Sequence, residues 1–217
     1  MGSKEYWDKK IIEWEKSSYQ GASGGLSLAE KIAARFRSPI KRRRAVLLNL
    51  LKGMIKGKTI LELGCGSGDL CFEFLNMGAA KVIGIDIADT AIKAAKDRSD
   101  SLGLQGTAQF FAGDVRKDIN LPDADFVIGL GFIDYIDITS LKALFTKIKG
   151  KFIFSFPEKK ISLINILHYI YLKSQRCPSF HKFSRSEFDN MSNQAVKYHF
   201  FTKDNMTFIS NFPCLYT

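Results

Sequence analysis

The stretch Thr59-Ile-Leu-Glu-Leu-Gly-Cys-Gly-Ser-Gly-Asp-Leu70 constrains this chain more than any other. Apolar residues Ile60, Leu61 and Leu63 break into glycines at alternate positions, Gly64, Gly66 and Gly68, and a helical pattern resumes at Asp69. A buried strand that ends in a glycine loop and feeds a helix is the architecture of a nucleotide site. Glycine admits positive φ and close approach to the backbone, and a helix start offers unpaired N–H groups. A dinucleotide fingerprint needs its third glycine one place later, where Asp69 stands. Glu62, two residues before the first glycine, would repel a pyrophosphate but attract a cationic amino-acid head. The loop therefore suits a ligand that carries both a positive group and an adenosine. Asp86 ends the next apolar run, where an acid accepts both hydroxyls of a ribose.

Taken in order, the chain begins with an amphipathic helix over 3–17, with Trp7, Ile11 and Trp14 on one side. A Gly/Ser/Ala loop at 20–25 leads to a short helix with Leu28, Ile32 and Phe36. Ser38-Pro39 opens a third helix, whose apolar side is Val46, Leu47, Leu50, Leu51 and Met54. From Lys58 the texture becomes strand–helix alternation. Strands are expected at 59–63, 81–86, 107–111, 125–129 and 151–155. Asp89 is expected to cap a helix whose inner face is Ile92, Ala95, Ser99 and Leu102. After Pro157 come an apolar helix over 160–172, a basic loop over 173–185 and a short helical piece at 186–191. Two β-like runs, 195–202 and 206–212, close the chain as a hairpin. The pattern predicts an α/β fold of Rossmann-like type: a mostly parallel sheet, helices on both faces and a terminal antiparallel hairpin. In one domain of 217 residues, 1–56 would form a helical lid, 57–156 the cofactor-binding core and 157–217 the substrate side.

Glu-Leu-Gly-Cys-Gly-Ser-Gly, Asp86 at the end of the second strand and Gly113-Asp114-Val115 after the third resemble the class I S-adenosylmethionine-dependent methyltransferases. The resemblance spans roughly 57–156. It implies S-adenosyl-L-methionine as cofactor, lying against the Gly64, Cys65, Gly66 and Gly68 backbone, with Glu62 on its amino end. It further implies ribose on Asp86, adenine near Ile87, Asp114 and Val115, and Leu130 and Gly131 beside the sulfonium. Beyond that core, Trp14 and Tyr19, the Phe154-Ser-Phe-Pro157 stretch and the apolar helix after it are similar to magnesium-protoporphyrin O-methyltransferases and their relatives. Tyr19 matches a tyrosine of that family's N-terminal lid. Where the family carries His-Tyr after strand four, this chain has Asp134-Tyr135.

Methyl transfer from a sulfonium chiefly needs alignment and exclusion of water, with a base only when the acceptor is a hydroxyl. Asp134 is the expected base or substrate anchor, and Tyr19 the second catalytic candidate. Tyr135, Arg176 and His181 are the expected substrate-binding residues. The net charge of +10 favours an anionic partner; Lys41–Arg44 is either a solvated helix face or, with Arg35, Arg37 and Arg176–Arg185, a ring around an acidic substrate. The expectation is methyl transfer to an oxygen of a small anionic metabolite or an activated sugar or phosphate compound. The alternatives are a tetrapyrrole carboxyl O-methyltransferase, a nucleic-acid methyltransferase and a cofactor-binding scaffold without turnover. Against a nucleic-acid partner, no Asn/Asp-Pro-Pro-Tyr-type motif follows strand four. No apolar run approaches the ~20 residues of a bilayer span. The start Met-Gly-Ser-Lys-Glu lacks a secretory core, and Cys65, Cys71, Cys177 and Cys214 lack zinc-type spacing. A cytoplasmic enzyme with reduced thiols and no metal is expected, with residues 160–172 as a roof over the site, a homodimer contact or a segment that dips into a membrane surface.

Overall fold

The computed structural model describes residues 2–19, 42–117, 120–159, 177, 179–191, 197–203 and 206–214. Two helices come first, α1 (Ser3–Tyr19) and α2 (42–51). The alternating part follows as β1 (Thr59–Leu63), α3 (Asp69–Asn76), β2 (Lys81–Asp86), α4 (Asp89–Ser101), β3 (Ala108–Ala112) and β4 (Phe126–Leu130). A 3-10 turn (Ile133–Tyr135), α5 (Ile138–Lys147), β5 (Lys151–Phe156), α6 (Arg185–Asp189), β6 (His199–Lys203) and β7 (Met206–Ser210) complete the described elements.

The strands form one sheet in the order β3-β2-β1-β4-β5-β7-β6. The first five are parallel, and β7 runs antiparallel between β5 and β6. Strand order reverses between β1 and β4, which opens a crevice at their carboxyl ends. The period of two divides each strand between two cores. Ile60, Val82, Ile128 and Ile153 pack under α2, α3 and α4. Leu61, Leu63, Ile83, Val127 and Phe154 pack under α5, α6 and the 3-10 turn. The carboxyl ends of β1 and β2 thus emerge between two rigid layers, so the loops that follow them are held in place.

Several local expectations need correction. Asp89 does not cap α4: the cap residue is Ala88, without a side-chain bond, and Asp89 pairs instead with Lys4 at 2.7 Å. Asp86 does part of that work, since its Oδ1 accepts from the Ala88 N–H at 2.9 Å. Leu102 is 55% exposed, because α4 ends at Ser101 and the chain turns away from the core there. The strands expected at 107–111 and 125–129 each begin one residue later. The helix expected over 160–172, the short helix around Leu28, the loop at 20–25, the Ser38-Pro39 helix start and Arg176 lie outside the described residues.

Candidate functional site

The loop after β1 is shaped by its glycines. Gly64, Gly66 and Gly68 have φ of 72°, 54° and 81°, a left-handed conformation that a Cβ disfavours. Space forbids larger residues as well: a Cβ on Gly64 would lie 2.7 Å from Phe132 Cδ2, and one on Gly66 would collide with Glu15. Asp86 ties the loop to β2. Its Oδ2 accepts from the Gly66 N–H at 2.9 Å while Oδ1 holds Ala88, so the carboxylate clamps both loops that border the crevice. Burial raises its pKa, against the pull of the backbone N–H groups of Ala88, Gly66 and Ile87. A carboxylate has about four lone-pair sites, so two remain for ribose hydroxyls.

Beneath the loop lies Glu62, only 4% exposed. The Cys71 thiol donates to its Oε2 at 3.0 Å. Burial pushes this carboxyl up to about 8, although the Cys71 bond and the Arg44 charge act the other way. A buried acid of this kind is poised to ionise when a cation arrives beside it. The Cys65 and Cys71 thiols are themselves pushed up by burial, which keeps them protonated. At the far side of the crevice, Asp114 is committed to Arg116, whose Nε and Nη2 donate at 2.8 and 2.7 Å. That pairing holds Asp114 below its usual value. Ile87 is half-buried, and Val115 is buried with the α5-side core.

The strand-four side brings three of the expected residues together. Leu130 ends β4 and Gly131 follows it, its N–H donating to Ser155 Oγ of β5 at 3.0 Å. Asp134 follows in the 3-10 turn, 6% exposed, with Oδ1 buried and unpartnered. Burial pushes it up to about 7, opposed by the Arg43 charge. The His181 N–H donates to the Asp134 carbonyl at 2.6 Å, and Ser179 Oγ donates to the Tyr135 carbonyl at 3.4 Å. Asp134, Tyr135 and His181 therefore share one corner. The Tyr135 hydroxyl is held well above its usual value, first by burial and then by Asp134. Helix capping belongs to Asp137, whose Oδ1 accepts from Thr139 and Ser140 N–H, each at 3.0 Å, so Asp134 is free of that duty. Tyr19 closes α1, but its side chain lies outside the described part.

Glu15 escaped the sequence reading, which took Arg43 only as one member of the basic run Lys41–Arg44; both are charges set on apolar stripes. Trp7, Ile11 and Glu15 are four apart, so α1 presents them on one face. Ile11 packs on Ala88 and Ala91, Trp7 meets the Tyr135 ring edge-on at 4.9 Å, and Glu15 Oε1 accepts from the Ser67 N–H at 2.8 Å. In α2, Arg43 stands three and four residues before Val46 and Leu47 and is 8% exposed. Its guanidinium lies against Gly131, and its Nε is buried without a partner.

This geometry agrees with what the chain is similar to. Residues 55–161, just under half of the chain, match the family described as a methyltransferase domain. A ribosomal protein L11 methyltransferase from Edwardsiella ictaluri is 41% identical over 68 residues, which are 31% of this chain and 23% of that protein. The homologous protein from Aeromonas salmonicida is 40% identical over 86 residues, 39% of this chain and 28% of its own length. The chain thus spans about a quarter of the curated relatives it matches. In architecture it is similar to the magnesium protoporphyrin IX methyltransferase of Synechocystis PCC 6803, solved with bound SAH. That likeness has a TM-score of 0.66 at 16% identity and covers 95% of this chain and 96% of the other. The left-handed glycine loop, the buried Glu62 and the Asp86 clamp are a fitting seat for an adenosyl group joined to an amino acid. Residues 55–161 are a methyltransferase domain of the class I type, with S-adenosylmethionine as its cofactor.

Proposed function

We propose that this protein transfers a methyl group to an oxygen atom of a small anionic metabolite or an activated sugar or phosphate compound. S-adenosylmethionine supplies a methyl carbon on a positively charged sulfur that leaves readily. The chain's own residues do the rest. Glu62 takes the cofactor's ammonium and Asp86 its ribose, Ile87, Asp114 and Val115 border its adenine, and the glycine backbone gives close approach. Leu130 and Gly131 flank the sulfonium, and Asp134 accepts the proton that a hydroxyl loses as it is methylated. Tyr135, His181 and Arg176 hold the acceptor, and Tyr19 is the second catalytic residue.

The observation that carries the oxygen assignment is Asp134 itself: a carboxyl buried at the end of β4, free of capping duty and pushed up to about 7. A base is most effective when its pKa lies near the working pH. A carboxylate acceptor would need no base at all, which sets this reading apart from the carboxyl methylation of a tetrapyrrole. The test is to incubate the protein with S-adenosylmethionine tritiated at the methyl group and cell extract separated into protein, nucleic acid and small molecules. Label in the acidic small-molecule fraction is the expected result. Label confined to protein or to nucleic acid would overturn the substrate class, and no labelled product would overturn methyl transfer.

A further inference from the structure

Arg43 and Asp134 approach the carboxyl end of β4 from opposite sides, one from α2 and one from the 3-10 turn. Each is more than nine-tenths buried, and each has one polar atom with no hydrogen-bond partner: a donor at Arg43 Nε and an acceptor at Asp134 Oδ1. Buried polar groups are nearly always paired, so two complementary orphans at one strand end mark a place for a ligand. Gly131 makes the arrangement feasible. A Cβ there would lie 2.5 Å from Arg43 Nη2 and 2.7 Å from Cζ, so only glycine lets the guanidinium settle onto the backbone.

We propose that the methyl-accepting group is an uncharged hydroxyl, held with its oxygen on the Arg43 Nε–H and its hydrogen on Asp134 Oδ1, and that Arg43 selects for it. A hydroxyl, with one O–H and two lone pairs on one atom, donates and accepts at once. A carboxylate acceptor has no proton for Oδ1 and would face the Asp134 charge. An ammonium has no lone pair for Nε and would face the guanidinium. The anionic part of the substrate then sits elsewhere, toward His181. In the transfer, the hydroxyl oxygen forms a bond to the methyl carbon. The sulfur–methyl bond breaks with its electron pair left on sulfur, and the hydroxyl proton passes to Asp134. Among the described residues, the charged and titratable groups around Asp134 are Arg43, Tyr135 and, through Tyr135, Cys177 and Tyr6. The His181 loop reaches it by a backbone N–H.

This inference rests on the methyl-transfer reading, and the tritium experiment separates the two. The labelled product is warmed in mild alkali, which hydrolyses a methyl ester to volatile methanol and leaves a methyl ether intact. Non-volatile label is the expected result. Volatile label would overturn the hydroxyl assignment while leaving methyl transfer standing, and no labelled product would overturn both. A readout independent of turnover uses protein with 15N-labelled arginine and S-adenosylhomocysteine bound, its Arg43 Nε–H signal identified by its loss in Arg43→Lys. Millimolar phenol is expected to shift that signal and millimolar benzoate to leave it in place. A larger shift with benzoate, or none with phenol, would overturn the proposal.

Discussion

At the scale of single residues, the site is a set of acids whose burial has moved their protonation toward neutral pH. In the proposed reaction Asp134 is a base only when ionised, so turnover should rise with pH through about 7 and level off above it. Asp134→Asn keeps the shape and removes the base; kcat should fall about 100-fold or more and lose that pH dependence. An unchanged profile would remove Asp134 from the chemistry. Arg43→Lys keeps the charge but loses the Nε–H, so acceptor KM should rise about tenfold, the worth of one good hydrogen bond, with little change in cofactor affinity. Glu62 makes a separate prediction for the cofactor. Binding an ammonium requires its carboxyl to ionise, so S-adenosylhomocysteine should bind more tightly as pH rises toward about 8. In Glu62→Gln, titration calorimetry across pH should show that slope flattened.

At the scale of elements, each loop is set by the strand before it, and the strands tolerate little change. Gly84 in β2 faces Phe110 and the Cys65 thiol, and a Cβ there would lie 2.6 Å from Phe110 Cδ1 and 2.7 Å from Cys65 Sγ. Gly84→Ala should therefore cost about 1–3 kcal/mol of stability in a denaturant titration, as overpacking does. The strands, their order of appearance and the glycine loop were legible because buried parallel strands and glycine turns leave a local signature, apolar runs punctuated by residues without a Cβ. Asp89 was misread because a first-turn acid satisfies the same pattern whether it caps its own helix or pairs with Lys4 from a distant one. Arg43 and Glu15 were legible only in outline. Each breaks an apolar stripe, but its partner lies across the crevice, on loops that reach it through the sheet topology rather than through neighbouring sequence.

At the scale of the whole molecule, the balance of buried acids sets stability against pH. Burial pushes the Glu62 and Asp134 carboxyls up to about 8 and about 7, above the ordinary carboxylate range near 4. Such groups stabilise the fold fully below pH ~4, and that contribution is lost as pH rises through the folded values. Asp86 and Glu15 are shifted in the same direction. The cofactor-free protein should thus lose on the order of a few kcal/mol between pH 5 and pH 8. Melting temperature without ligand should fall across that window, and S-adenosylhomocysteine should raise it more at pH 8 than at pH 6. A flat profile would show that these acids are wetter than the structure implies. α1 adds a property of its own. It is fastened beyond β1 through Ser67, beyond β2 through Asp89 and Thr90, beyond β3 through Arg116 and beyond β4 through Tyr135. On the proposed reading, a helix stapled across four strand ends must swing through solvent to release the spent cofactor, so turnover should slow in proportion as sucrose thickens the medium.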